Sequence, residues 1–179
     1  MNIAVYLGSN DGKNPAFKKI TEELGAWIGD AGHSLVYGGA DCGLMGILAD
    51  TVQSHGGCVT GVIPGFMNGK RKADVNRCIV TETMSERKAA MIELADAFIA
   101  MPGGPGTLEE IAEVISLSRL ARNEKECILY DYEGYWTPVR EMFLKMIDNG
   151  FVSPSELNHV HFASDLDEIR EILEEKMYS

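Results

Sequence analysis

The residues best suited to chemistry lie in one short stretch, PGGPGTLEE, at residues 102–110. It follows an apolar run at residues 97–101 that is typical of a buried strand. Gly103, Gly104 and Gly106 remove side chains that would hold an anion away from the backbone, and glycine also permits positive φ in a tight loop. Thr107 can cap a following helix, whose first turn offers unpaired N–H groups and the positive end of its dipole. The stretch therefore predicts a phosphate site.

Glu110 lies three residues after Thr107 and close to the predicted phosphate site. A carboxylate beside a phosphate repels it, so the presence of Glu110 needs a reason. One interpretation is a capping box, in which the Thr107 hydroxyl and the Glu110 carboxylate each accept a hydrogen bond from an unpaired N–H of the first turn. The other is a catalytic carboxylate placed beside a bound substrate. The pattern alone is consistent with both.

Two cations, Arg87 and Lys88, fall in the first turn of a helix that is predicted to begin close to Met84. The helix dipole disfavours cations at that end by roughly 0.3–1 kcal/mol at exposed sites. Either the two cations pair with Glu82 or Glu86 at the surface, or they face a local anion. Met84 lies at helical spacing from Arg87, where it either packs in the core or lines a nucleobase.

Five further stretches occur with the glycine loop in one characteristic order along most of the chain. They are Val36-Tyr37-Gly38-Gly39, Gly43-Leu44-Met45-Gly46, Gly61-Val62-Ile63-Pro64, Met84-x-x-Arg87-Lys88 and Glu133-Gly134-Tyr135-Trp136. Together with Pro102-Gly103-Gly104-x-Gly106-Thr107-x-x-Glu110, this series resembles the Lonely Guy (LOG) family. These phosphoribohydrolases release cytokinin bases from their riboside monophosphates.

The resemblance implies hydrolysis of a purine riboside 5′-monophosphate to free base and ribose 5-phosphate, without a metal or organic cofactor. Glu110 would stabilise an oxocarbenium-like transition state, and Arg87 would position the phosphoribosyl group or assist the departing base. Substrate-binding positions would be Gly38, Gly39, Met84, Lys88, Gly103, Gly104, Gly106 and Thr107. The family likeness also implies a homodimer, with Arg87 and the Glu110 helix close to the subunit boundary.

Two other functions stay open. One is a broader nucleosidase acting on AMP or another 5′-monophosphate, because the pocket residues that select the base are not identifiable from one sequence. A carrier or sensor that binds a nucleotide without turnover belongs to a different class, and it has no use for a carboxylate beside phosphate. Some relatives bear a lysine decarboxylase label, but no pyridoxal-phosphate lysine is recognisable in this chain.

Three positions depart from the family pattern. Ala40 stands where a third glycine is expected, Arg71 where relatives often have a glutamate that contacts substrate, and Leu117 where they usually carry tryptophan. The phosphate contacts of the Gly38 loop, the recognition of base or sugar and the preference for a prenylated base therefore do not follow from the resemblance.

Composition limits the possible partners and the cellular compartment. The 179 residues carry a net charge of −11, which argues against general affinity for nucleic acid, since that affinity depends on Lys and Arg. No apolar run approaches the length of a membrane span, and no signal peptide is recognisable. Cys42, Cys58, Cys78 and Cys127 are too scattered for a zinc site or a disulfide framework, which favours a reducing cytoplasm.

The elements that must position these residues alternate between strands and helices. Strands are predicted at residues 3–7, 34–37, 59–63, 78–81, 97–101, 126–130 and 159–162. Between them the 3.6-residue period predicts helices, and in the helix after the glycine loop it places Leu108 inward and Glu110 outward. The alternation predicts an α/β fold: one domain over residues 1–179, with a doubly wound parallel sheet flanked by helices and a ligand site at the carboxyl ends of the strands.

Overall fold

A computed structural model describes the chain except for residues 72–73, 122–124 and 178–179. Seven strands alternate with six α-helices. The strands are β1 Asn2–Tyr6, β2 Ser34–Tyr37, β3 Cys58–Pro64, β4 Arg77–Thr81, β5 Ala97–Ala100, β6 Cys127–Tyr130 and β7 Val160–Ala163. The helices are α1 Ala16–Asp30, α2 Gly43–Ser54, α3 Met84–Leu94, α4 Pro105–Ala121, α5 Thr137–Asp148 and α6 Leu166–Met177.

All seven strands form one parallel sheet in the order β4-β3-β2-β1-β5-β6-β7. The chain builds outward from β1 in one direction through β4, and then returns to add β5 on the other side of β1. Strands β1 and β5 pair from Ile3 with Ala97 to Tyr6 with Ala100. The loops that follow these two strands therefore diverge, which opens a crevice at the carboxyl edge of the sheet.

Successive residues of the central strands enter two separate cores, because side chains alternate across a strand. On one face Ile3 and Val5 pack with residues of α1, α2 and α6, including Leu24, Leu48 and Ile169. On the other face Ala4 and Tyr6 join a core that includes Met91 of α3, Ile111 of α4 and Trp136, which precedes α5. Helices thus cover both faces, and the predicted doubly wound α/β fold is confirmed.

The sequence predicted the positions of the strands and helices, but several elements begin or end one or two residues away from the predicted bounds. The clearest case is α4, which begins at Pro105 rather than after Thr107. Proline suits the first helical position because its fixed φ is already helical and it has no N–H to leave unpaired. Thr107 consequently lies inside the first turn, and the prediction that it caps the helix is wrong. Within the described residues, no helix is long and apolar enough to cross a bilayer.

Candidate active site

A cavity of about 550 Å³ opens at the carboxyl edge of the sheet, where the crevice beside β1 was expected. Loops that follow β1, β2, β3 and β5 contribute to it, together with the first turns of α2, α3 and α4. Of the predicted site residues, it is lined by Gly38, Met84, Arg87, Gly103, Gly104, Gly106, Thr107 and Glu110. Residues that are far apart in the sequence therefore meet in one place.

The glycine loop between β5 and α4 forms one wall of the cavity. A Cβ at Gly103 would lie 2.1 Å from the Thr107 hydroxyl oxygen, so only glycine fits beneath that side chain. Gly104 and Gly106 instead face open space, with no atom within 4 Å of an added Cβ. None of these three glycines has a positive φ, so backbone conformation does not explain why glycine occurs at these positions. The loop is open because of missing side chains, and it leads directly into the unpaired N–H groups of α4.

Tyr135, which precedes α5, holds the glycine loop in place through a hydrogen bond to its backbone. Its hydroxyl donates a hydrogen bond to the Gly103 carbonyl oxygen at 2.5 Å, and its ring meets the edge of Phe17 with 5.7 Å between centroids. Both aromatic side chains also line the cavity. The sequence marked Tyr135 only as a family landmark, because a tyrosine that acts through a backbone carbonyl 32 residues away leaves no local pattern.

Arg87 and Glu110 form a buried ion pair at the cavity wall. The guanidinium Nη1 lies 2.5 Å from Glu110 Oε1, and the two side chains are only 8% and 11% exposed. Arg87 Nε also donates to the Val62 carbonyl oxygen at 3.0 Å, which fixes the plane of the guanidinium. Glu110 is therefore not turned outward as the helical period predicted. It is not part of a capping box either, because its carboxylate is held by Arg87.

The helix cap suggested for Thr107 occurs instead at the start of α3. Thr83 Oγ1 accepts a hydrogen bond from the Glu86 N–H at 3.1 Å, and the Glu86 carboxylate accepts one from the Glu82 N–H at 2.9 Å. Glu86 is thus used in capping, and Arg87 points away from it toward Glu110. Surface pairing of Arg87 with Glu82 or Glu86 is therefore wrong.

Burial has the largest effect on the pKa of Glu110 in this ion pair. Removal from water raises the pKa of Glu110 above its ordinary value, while the charge of Arg87 and its hydrogen bond act in the opposite direction. Nearby Tyr6 is also buried, and burial together with the Glu110 charge raises its pKa well above the usual range. Tyr6 therefore stays neutral and adds no second negative charge beside the carboxylate.

Gly38 and Gly39 act in different ways. A Cβ at Gly38 would lie 2.3 Å from Arg87 Nη2, so this glycine makes room for the guanidinium. Gly39 has φ +75°, and its Cβ would press on Ile63 at 3.1 Å; it serves the turn after β2 and does not line the cavity. Its predicted contact with substrate therefore finds no support in the geometry.

Lys88 also lies outside the cavity lining. Its ammonium group pairs with Glu109 and, at 2.7 Å, with Glu113, and these two hydrogen bonds raise its pKa. The adjacent cations of the Arg-Lys motif thus point to different partners on α4. One pair faces the cavity and the other joins α3 to the outer side of α4.

One part of the cavity wall is apolar, and it includes three methionines. It comprises Leu44, Met45, Pro64, Met67 and Met84. Unbranched thioether side chains adapt to differently shaped partners, so this wall suits a flat base with a variable substituent. Only Met84 of these three methionines was predicted as a site residue, because Met45 lies in α2 and Met67 follows β3, both far in sequence from the motif that carries Arg87.

The first loop, after β1, was not predicted as a site but lines the cavity at residues 8–12. Gly43, with φ +53°, allows the start of α2 to approach this loop, since its Cβ would lie 2.5 Å from the Ser9 carbonyl.

Of the three departures from the family pattern, Ala40 lines the cavity, whereas Arg71 and Leu117 do not. Arg71 forms an isolated antiparallel bridge with Ala40. All four cysteines are free thiols, and the described residues hold no cluster of metal-ligating side chains.

Comparison with known proteins finds a family model that matches most of the chain and relatives of similar sequence. The family model described as "Possible lysine decarboxylase" matches residues 45–173. The chain is 36% identical to cytokinin riboside 5′-monophosphate phosphoribohydrolase LOG7 of Arabidopsis thaliana, over 97% of this chain and 81% of the relative. It is also 36% identical to the cytokinin riboside 5′-monophosphate phosphoribohydrolase of Rhodococcoides fascians, over 93% of this chain and 85% of that protein.

Solved structures extend the likeness of fold. The molybdenum cofactor binding protein of Rippkaea orientalis superposes with a TM-score of 0.75 at 24% identity, over 98% of this chain and 96% of the other. The molybdenum cofactor carrier protein of Chlamydomonas reinhardtii gives a TM-score of 0.72, also at 24% identity, over 96% and 97% of the two chains. At this identity the similarity extends to the fold alone.

Proposed function

This chain belongs to the LOG family, and on that premise we propose that it hydrolyses the N-glycosidic bond of purine riboside 5′-monophosphates, including those of cytokinin type. The products are the free base and ribose 5-phosphate. The observation that carries the proposal is the buried Arg87–Glu110 pair, which lies in the wall of the same cavity as the glycine loop. A site that only held phosphate would gain nothing from that carboxylate.

The proposed reaction needs only groups of this chain. The 5′-phosphate accepts hydrogen bonds from the open loop at Gly104 and Gly106 and from the first N–H groups of α4. When the C1′–N9 bond breaks, its electron pair leaves with the base and positive charge builds on the ribose, where the Glu110 carboxylate stabilises it. Glu110 orients the attacking water, whose oxygen bonds to C1′. The proton that the water loses returns to N9 of the base, and Arg87 supports the departing purine.

The lysine decarboxylase description does not suit this cavity. Pyridoxal-phosphate enzymes hold their cofactor through a lysine Schiff base. Among the described residues that line the cavity, none is a lysine. Hydrolysis at the sugar is the chemistry that the residues present can perform.

Direct assay of the products tests the proposal. The protein is incubated with AMP and with isopentenyladenosine monophosphate, and the free base and ribose 5-phosphate are separated by chromatography. We expect both products in equal amounts from at least one of the two nucleotides. Saturable nucleotide binding without base release from either would favour a carrier instead, and a strong preference for AMP would favour a general nucleosidase.

The pH profile follows from the ionisation of Glu110. Because the carboxylate form acts, turnover is present above the pKa of Glu110 and is lost as the pH falls through it. Burial raises that pKa, so the acidic limb of kcat lies above the value of about 4.3 for a free glutamate. The profile is measured at saturating AMP, where titration of the free nucleotide does not contribute. A kcat that stays constant down to the pKa of free glutamate would contradict this role.

Tyr135→Phe is expected to weaken nucleotide binding while kcat changes little. The variant keeps the ring contact with Phe17 but loses the hydrogen bond that fixes the Gly103 carbonyl. A hydrogen bond of this kind contributes about 0.5–1.5 kcal/mol, which corresponds to an increase in KM of about two- to tenfold. Tyr132→Phe is the matched control, since it removes a hydroxyl from the same segment without touching the loop. Equal KM values for both variants would remove Tyr135 from the site.

We also propose that the protein is cytoplasmic and that it forms a homodimer whose interface lies along α4. Leu108 and Leu117 of α4 and Val80 of β4 are large apolar side chains left exposed, and exposed apolar surface often marks an interface. Sedimentation equilibrium should give twice the mass of the chain, and Leu117→Asp should lower it to one chain. Leu144→Asp, at an exposed leucine of α5, should leave the dimer intact. A wild-type mass of one chain would contradict the proposal.

A further inference from the structure

A second cleft, of about 580 Å³, lies on the face of the sheet that α1 and α6 cover, between α1, the end of β6 and the start of α6. None of its lining residues lines the first cavity. Three aromatic side chains form part of its wall: Trp27, Tyr130 and Tyr132. Tyr130 and Tyr132 meet edge to face with 6.1 Å between ring centroids, so their rings are held in a fixed arrangement.

The cleft also carries a surplus of negative charge. Four carboxylates line it, against two cations. The carboxylates belong to Glu23, Asp30, Asp165 and Asp167, and the cations to Lys19 and Arg170. Lys19 pairs with Glu23 at 3.5 Å and Arg170 pairs with Asp167 at 3.0 Å. Of the other two carboxylates, Asp30 lies 2.9 Å from His55 Nδ1, and Asp165 accepts a hydrogen bond from the Glu168 N–H at 2.9 Å. With histidine counted as neutral, the cleft keeps a formal surplus of two negative charges, in a chain that is already strongly acidic.

Tyr130 brings an unused polar group to this place. Its side chain is only 2% exposed, yet it lines the cleft, and within the described part of the chain its hydroxyl has no hydrogen-bond partner. Burial, and then the charge of Glu23 followed by those of Asp165 and Asp167, raise the pKa of this hydroxyl to about 12. The hydroxyl therefore stays protonated and faces the carboxylates of the cleft, where a ligand can use it as donor or acceptor.

We propose that this cleft binds an organic ammonium ion that carries a short polar arm. Aromatic faces attract a cation through their quadrupole, and the attraction increases when the cation is removed from water. The surplus carboxylates supply the opposite charge, and the Tyr130 hydroxyl supplies a partner for the polar arm. An inorganic cation would use the carboxylates but gain little from three aromatic side chains.

Choline is a suitable probe, because it combines a quaternary ammonium group with a hydroxyl. Its neutral carbon isostere, 3,3-dimethylbutan-1-ol, has the same shape without the charge. Binding is followed by the NMR signals of the two indole N–H groups, since Trp27 lines the cleft whereas Trp136 donates to the Ala100 carbonyl in the interior. We expect saturable movement of the Trp27 signal with choline, a stationary Trp136 signal, and at least about tenfold weaker binding of the isostere.

Two variants test the assigned residues, and one serves as a matched control. Tyr132→Leu and Glu23→Gln should each weaken choline binding about fivefold. Glu141→Gln removes one carboxylate from exposed α5, outside the cleft, and should leave the affinity unchanged. Glu23 lies on the surface, so Glu23→Gln remains informative even if the tyrosine variant fails to fold.

Three results would overturn the proposal. The first is movement of the Trp27 signal that sodium chloride reproduces at the same ionic strength. The second is equal binding of choline and its isostere. The third is an equal loss of affinity in Glu23→Gln and Glu141→Gln, because net charge alone would then explain the effect.

Discussion

Glu110→Gln is expected to lower kcat for base release by roughly a thousandfold while the nucleotide still binds. The substitution keeps the size of the side chain and allows the amide oxygen to accept from Arg87, so the cavity keeps its shape. It removes the negative charge that stabilises the cationic sugar and orients the attacking water. Since a carboxylate near the bound phosphate is neutralised, AMP should bind as tightly as before or more tightly. Steady-state kinetics and calorimetric titration with AMP measure the two effects.

Glu109→Gln is the matched control for this variant. Glu109 is the preceding residue of the same helix and carries the same charge, but it is exposed and pairs with Lys88 outside the cavity. Its replacement should leave kcat near the wild-type value. If Glu109→Gln and Glu110→Gln lost the same share of activity, or if the Glu110→Gln variant kept wild-type turnover, Glu110 would not be the catalytic carboxylate.

Arg87→Met is expected to lower the free energy of unfolding by about 3–5 kcal/mol and to abolish base release. The variant leaves Glu110 buried without its cation, and the Val62 carbonyl loses the N–H of Arg87. The double variant Arg87→Met/Glu110→Gln removes the unpaired charge as well. It should therefore be more stable than Arg87→Met alone and remain inactive. Urea unfolding of the wild type, both single variants and the double variant gives the coupling free energy of the pair.

Arg140→Met controls for the loss of one cation, since Arg140 is exposed on α5. It should unfold at nearly the wild-type urea concentration and keep its activity. A double variant no more stable than Arg87→Met would show that the buried charge of Glu110 does not determine the loss. An active Arg87→Met protein would remove Arg87 from the reaction.

The alternation of apolar strands and amphipathic helices was sufficient to predict the fold. The β1 run Ile3–Leu7 and the β5 run Ala97–Met101 are continuously apolar because both faces of a parallel sheet are covered. Those two strands also determine where the crevice lies. The sequence therefore predicted the edge of the sheet at which the glycine loop lies, although it did not predict the contacts of the loop.

Contacts between distant side chains could not be predicted from local patterns. The T-x-x-E spacing occurs twice: Thr83 with Glu86 forms a cap, whereas Thr107 and Glu110 do not. What distinguishes the two is Arg87, whose guanidinium reaches Glu110 from another helix. The helical period likewise placed Leu108 inward, but it is 40% exposed, because the position of the neighbouring elements decides which flank of a helix is covered.

The adjacent Arg-Lys motif shows the same limit. Arg87 and Lys88 are neighbours in sequence, but side chains of consecutive helical residues point about 100° apart. Arg87 therefore faces the cavity, while Lys88 reaches Glu113 on the outer side of α4. Gly38 and Gly39 differ similarly, since one lines the cavity and the other shapes a turn. A motif identifies the neighbourhood of a site more reliably than it identifies each residue in contact.

The secondary isotope effect of tritium at C1′ of AMP, measured in a single turnover, is the most direct test of the central claim. If Glu110 stabilises a cationic sugar in a phosphate-anchored nucleotide, C1′ becomes more planar in the transition state. The tritiated substrate should then react measurably more slowly than the unlabelled one. Equal rates for the two substrates, with bond cleavage limiting the turnover, would contradict a cationic transition state at this carboxylate.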